Sequence, residues 1–184
     1  MNTNNIDAED WLSSMKSQIN RNLTDIENRD DLSADEKAER VIHIIAGACA
    51  GVAVQPIPFA DIFLLTPIQM YLAERLAAVR GIPLSESSIK EIVLELAKVV
   101  GLGMLAQQAA LGLYKIGLPG LAGFTTIPLV YGLTYAIGRV LDYMIQERAK
   151  GRKLNSQTIK QAWESAKTEG KRKGKGYRQA DMEK

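Results

Sequence analysis

The sequence predicts an all-α protein: two apolar helical hairpins forming a compact bundle, with an N-terminal amphipathic helix and a basic, partly disordered C-terminal tail. Three observations carry this reading. Apolar residues recur at spacings of three and four, prolines and glycines gather in two clusters that reverse the chain, and charge is segregated to the ends. Residues 1–40 hold ten acids against five Lys or Arg, whereas residues 148–178 hold eleven Lys or Arg against only Glu164 and Glu169. Residues 41–145 hold six acids and six Lys or Arg, so the net charge of +2 conceals an acidic head, an apolar middle and a basic end. The expected division is 1–32 for the acidic helix, 33–150 for the apolar hairpins and 151–184 for the basic tail with a short helix.

The first helix runs from Ala8 to about Glu27, with Trp11, Leu12, Met15, Ile19, Leu23 and Ile26 on one face. Asp30 and Asp31 interrupt it. Ser33 and Glu36 then form a capping box, in which the Ser oxygen accepts from the N3 amide and the Glu returns to the cap. The helix that starts there becomes wholly apolar, apart from His43, from Val41 to Val54. Fourteen residues at 1.5 Å each cover roughly 21 Å, short of the roughly 30 Å hydrocarbon core of a bilayer. Pro56 and Pro58 end it, because each lacks an amide donor and excludes its predecessor from the α region. Phe59 to Arg80 resumes as helix, with Gly81 placed as its C-cap.

Ser88 and Glu91 suggest a second capping box, leading into Ile89, Ile92, Val93 and Leu96. Beyond Lys98 the polar face thins to Gln107 and Gln108 until Lys115, and the stretch GLPGLAGFTTIP reads as the second reversal, with Gly117, Gly120 and Gly123 in it. Leu129 to Arg148 returns as helix. A short helix from Ser156 to about Lys167 carries Ile159 and Trp163 one turn apart, with Trp163 free for an interface, and the remaining KRKGKGYRQADMEK is expected to be disordered.

Several chemistries are excluded or left without material. One cysteine, Cys49, permits no internal disulfide, and with a single histidine no Cys/His metal cluster can be built. No G-x-x-x-x-G-K-[ST] occurs, and Pro119 removes an amide from the only glycine-rich turn, so no nucleotide hydrolysis and no cofactor are expected. The N-terminus shows no basic segment followed by an apolar run, which places both ends in the cytosol if the middle enters a membrane. The sequence therefore points away from an enzyme.

The strings PIPFADIFLLTPIQ, the Gly-terminated helix at Arg80-Gly81, and IGLPGLAGFTTIPLVYGLTYAIGRVLDYMI together resemble domain of unknown function 697 over about Val41 to Ile145. That family includes YcjF-like inner-membrane proteins and often follows Era-like GTP-binding domains. The resemblance implies an all-helical, membrane-associated module of the inner membrane or its cytoplasmic face, here without a GTPase domain of its own. It implies a separately encoded GTPase as one candidate partner.

Candidate residues follow from the same logic. Asp61 is an acid in an apolar run, expected to cap its helix or pair with Arg139. Gln69 and Gln107 can fix helix register by interhelical hydrogen bonds. Gly47 and Gly51 form a small-xxx-small face suited to close helix contact within the chain or between copies, so a homo-oligomer is open. Lys171, Arg172, Lys173 and Lys175 form a polybasic segment that fits anionic lipid better than nucleic acid, since no base-reading module accompanies it. His43 reads as structural or interfacial. The expected function is a non-enzymatic membrane-associated module that binds or anchors a protein partner through its N-terminal helix. The alternatives are a soluble helical adaptor and a small channel or transporter built around Asp61 and Arg139.

Overall fold

The computed structural model describes residues 8–52, 60–117 and 122–177, with side chains described for 17, 19–51, 68–101 and 127–177. Among them the chain forms six helices and no strand: α1 (Ala8–Glu27), α2 (Ala34–Val52), α3 (Ala60–Val79), α4 (Glu86–Gly117), α5 (Ala122–Ala149) and α6 (Ser156–Gly176). They form one all-α bundle, with α5 at its centre in contact with α2, α3, α4 and α6.

Local chemistry sets most of the boundaries. Ser33 and Glu36 make the expected reciprocal cap on α2: the Ser33 amide donates to Glu36 Oε2 at 2.9 Å, and the Glu36 amide donates to Ser33 Oγ at 3.3 Å. α3 ends on Gly81 at φ 64°, with the Ile82 amide donating to the Ala77 carbonyl at 2.9 Å, the six-to-one bond of a Schellman end. α5 ends the same way on Gly151 at φ 71°. Asn155 caps α6 by accepting from the Thr158 amide at 2.8 Å.

Three boundaries differ from the sequence reading. α4 is capped by Ser85, whose hydroxyl oxygen accepts from the Ser88 amide at 3.2 Å, while Glu91 reaches across to Arg148. α5 starts at Ala122 and carries Pro128 inside the helix, seven residues before the expected start at Leu129. α6 continues past Lys167 to Gly176, so the basic residues 171–175, expected to be disordered, are helical. Tertiary packing supplies what propensity withholds there, because Gly170 and Gly174 are buried against α5.

Among the described residues α5 with α6 is the most extensive helix pair, and at these glycines backbone meets backbone. A Cβ on Gly170 would lie 2.1 Å from the Gly132 carbonyl oxygen, and one on Gly174 would lie 2.0 Å from that of Pro128. From the other side, a Cβ on Gly132 would lie 2.5 Å from the Gly170 oxygen. Each carbonyl thus occupies the space a side chain would take, the arrangement of Cα–H···O contact between close helices. The rest of α6's inner face, Ile159, Trp163 and Ala166, is buried in the same core as Leu141 and Ile145. Trp163 is therefore a core residue, 7% exposed, and not a free interfacial anchor.

The opposite end of the bundle is held by charge. Arg80, 10% exposed at its side chain, grips Asp142, 5% exposed, through Nε–Oδ1 at 2.8 Å and a terminal amino group to Oδ2 at 2.6 Å. Asp35 completes the pairing from α2 and, with Asp142, holds the guanidinium more firmly protonated than usual. α1 lies across α2 and α3, burying Ile19 and Leu23, with Tyr71 donating to Asn20 and Arg75 paired with Glu27. Among the described residues, no helix is long and apolar enough to cross a membrane.

Two substitutions test this frame. Gly170→Ala should destabilise the bundle by about 1–3 kcal/mol, the usual range for forcing volume into a packed contact. Gly101→Ala, where a Cβ meets nothing within 4 Å among the described residues, should stabilise α4 by roughly 0.5–1 kcal/mol. Thermal melts of the two variants shifting in the same direction would contradict the assignment.

Candidate functional site

The most concentrated chemistry lies where α2, α5 and α6 meet, and each helix supplies it at four-residue spacing. α2 offers Glu39 and His43, α5 offers Tyr131, Tyr135 and Arg139, and α6 offers Glu169, Lys173 and Tyr177, which follows its last residue. Residues four apart share a helix face. Three polar ladders therefore face one another inside an otherwise apolar junction.

Glu39 is the hub. It accepts from Tyr135 Oη at 2.8 and 3.1 Å, from Lys173 Nζ at 3.0 Å and from Arg139 at 3.4 Å, and its Oε1 lies 3.0 Å from His43 Nε2. Glu169 lies 3.0 Å from the same tyrosine hydroxyl and 3.8 Å from Arg139 Nε. Lys173 also stands 5.4 Å from the Tyr135 ring centre, within cation–π range. His43 Nδ1 meets the Tyr131 hydroxyl, and Tyr131 stacks on Tyr177 with ring centres 4.1 Å apart. A neutral His43 protonated at Nε2 satisfies both contacts, donating to Glu39 and accepting from Tyr131. Two carboxylates then face two cations, and the cluster is electrically balanced.

The electrostatics follow from this geometry. Burial alone would raise the Glu39 carboxyl, but hydrogen bonds from Tyr135 and Lys173 outweigh it and hold the group below its usual range. Burial pushes the Tyr135 hydroxyl up, and the two carboxylates it faces push it further. Burial lowers His43, opposed by Glu39 and reinforced by Lys173. Among the described residues, no group of three His, Cys, Asp or Glu side chains is arranged to hold a metal ion. The arrangement joins three helices through saturated, charge-balanced bonds.

Beside the cluster, α1, α2 and the end of α6 enclose an open groove of about 960 Å³. Ile19, Ile26, Ile44 and Ala48 line it with apolar side chains, Tyr131 and Tyr177 with aromatic ones, and Asp25 and Arg172 with opposite charges.

The other candidate residues are dispersed. Arg139 pairs with Glu39 and Glu169. The side chains of Asp61, Gln107 and Gln108 lie outside the described residues. Gln69 is 9% exposed on α3. Gly47 faces the Tyr177 hydroxyl, which a Cβ there would meet at 3.1 Å, and Gly51 is half-buried near the end of α2. Lys171, Arg172 and Lys175 are exposed, whereas Lys173 turns inward to Glu39. Glu39, Tyr131, Tyr135, Glu169 and Tyr177 escaped sequence reasoning. Their signal was present in the spacing: Glu39 lies one turn before the lone histidine, and three tyrosine or arginine positions repeat every four residues on α5.

The bundle and its charge-balanced junction define a helical scaffold, and comparison with known proteins adds one relative. Over 115 residues the chain is 32% identical to "Magnetosome membrane protein 22" of Magnetospirillum gryphiswaldense, a match covering 60% of this chain and 58% of that protein. The chain thus spans somewhat over half the length of that relative. No protein-family model matches the chain, and no solved structure matches it.

The lowered His43 affinity for protons has a definite sign. Above about pH 6.5 both folded and unfolded chains hold it neutral; as pH falls, the unfolded chain takes up the proton first, so stability is lost on acidification. Between about pH 7.5 and about pH 5.5 the melting temperature should fall, and His43→Gln should flatten that part of the profile. An NMR titration placing His43 above the ordinary histidine range would contradict the cluster as described.

Proposed function

We propose that the chain is a non-enzymatic, membrane-associated helical module of the inner membrane or its cytoplasmic face, which anchors or binds a protein partner. One observation carries the reading. Residues 52–67 and 102–126, which contain the ends of both hairpins, hold Asp61 and Lys115 as their only charged residues, whereas the described remainder of the chain is rich in ion pairs. Apolar ends on a charge-braced bundle suit partial insertion better than a soluble surface. The relative named as a magnetosome membrane protein supports the same direction.

The resemblance to domain of unknown function 697 adds a separately encoded GTPase as the partner to try first. Ile19 and Leu23 of α1 are already buried in the bundle, so the partner would meet the outward side of α1 and the groove beside it. The full chain should co-float with lipid vesicles and resist extraction from membranes by carbonate. Complete recovery in the soluble fraction without detergent would sink the proposal and favour the soluble adaptor.

A further inference from the structure

We infer that the C-terminal half of α6 is a basic collar set just short of the end of α2 and the start of α5, and that it docks on the anionic headgroups of a phospholipid surface. This rests on the membrane reading above and gives it an orientation and a lipid class.

The placement comes from contacts. Gly174 lies against Pro128 and Gly170 against Gly132, so α6 runs antiparallel to α5. Tyr177 lies against Gly47, so the end of α6 is level with the last third of α2. Glu91 of α4 pairs with Arg148 of α5, and Arg80 of α3 with Asp142, so α3 and α5 run one way and α2, α4 and α6 the other. The end of α2 and the start of α5 thus lie at one end of the bundle. α2 continues five residues past Gly47 to Val52, and α5 begins six residues before Pro128. Because α6 itself runs two residues past Gly174, α5 passes its end by four residues and α2 by five, roughly 6–8 Å at 1.5 Å per residue, within the roughly 5–10 Å to which interfacial helices sink.

At that level the outward face of α6 is cationic. Gly170 and Gly174 lock its inner face to α5, which turns Arg172, two residues on from Gly170, outward and sets Lys171 and Lys175, four apart, on the flank beside it. All three are exposed, and none has an acidic partner among the described residues, unlike Lys167 with Glu164 and Lys173 with Glu39. A cationic collar beside apolar ends is complementary to a surface with negative charge at its rim and hydrocarbon beneath. A polynucleotide would satisfy the charges and leave the apolar ends without a role.

The test uses the full chain, floated with vesicles of phosphatidylcholine alone and of phosphatidylcholine with phosphatidylglycerol, at low and high salt. The expected result is stronger binding to the anionic vesicles, weakened by salt. K171E/R172E/K175E should reduce that preference roughly 100-fold, at about 1 kcal/mol for each basic residue near the surface, while binding to neutral vesicles stays. K90E/K153E/K160E, with the same change in charge away from the collar, should retain the preference; circular dichroism checks that both variants fold. Equal binding to neutral and anionic vesicles overturns the collar and leaves the membrane reading standing. Equal losses in the two variants also overturn it, because net charge alone would then account for the effect. Binding to neither vesicle type overturns the membrane reading itself. Tighter binding to duplex DNA than to anionic vesicles at matched salt, abolished by the collar variant, assigns the surface to nucleic acid instead.

Discussion

The bundle depends on one backbone contact, the approach of α5 and α6 at Gly132, Gly170 and Gly174. Carbonyl oxygens fill the places where side chains would stand, so the two axes come closer than any larger residue allows. Everything else on α6 follows from that proximity. It brings Ile159 and Trp163 into the shared core, carries Lys173 to Glu39 on a third helix, and brings Tyr177, just beyond the helix end, over Tyr131. A basic, glycine-rich segment of low helix propensity is ordered because its glycines are useful to a neighbour.

The charged junction exploits the same closeness. Glu39 accepts from three helices' worth of donors, with two carboxylates offset by Arg139 and Lys173. Partly buried charges are tolerable when paired and hydrogen-bonded in this way, and the balance fails if a third cation is added. Burial and the neighbouring lysine both oppose a proton on His43, so the neutral ring is part of the design. Arg80 and Asp142 apply the same rule at the other end, where the helices are farther from the apolar hairpin ends.

Much of the fold was legible because its signals are local. The capping box at Ser33, the C-cap at Gly81 and the stripe of Ile19 and Leu23 are each readable within a few residues, and the structure carries all three. What escaped was tertiary. Gly170 and Gly174 look like helix breakers in a charged tail until Gly132, 38 residues earlier, is seen to face them. Likewise Glu39 and Glu169, 130 residues apart, share one tyrosine hydroxyl. Pro128 reads as part of a turn locally, yet sits inside α5. Lys173 belongs by composition with Lys171 and Lys175, and only the phase of α6 shows that it faces inward.

The glycine contact and the charge ladders also divide the work of fixing register. Gly170 and Gly174 are four residues apart, so sliding α6 by one turn one way brings Gly174 opposite Gly132, and the other way brings Gly170 opposite Pro128, with small Ala166 then facing Gly132. The second of these registers is resisted by the contact itself, because the Ala166 Cβ would meet the Gly132 carbonyl that Gly170 now leaves free. The ladder of Glu169, Lys173 and Tyr177 resists both. A slip in the first direction places Lys173 in the position of Glu169, against Arg139; a slip in the second places Glu169 in the position of Lys173, against Glu39. Each alternative sets like charges together in a partly buried site, where the repulsion is little screened. The glycines determine how close α6 comes and exclude one of the two slips, and the ionic ladder opposes both.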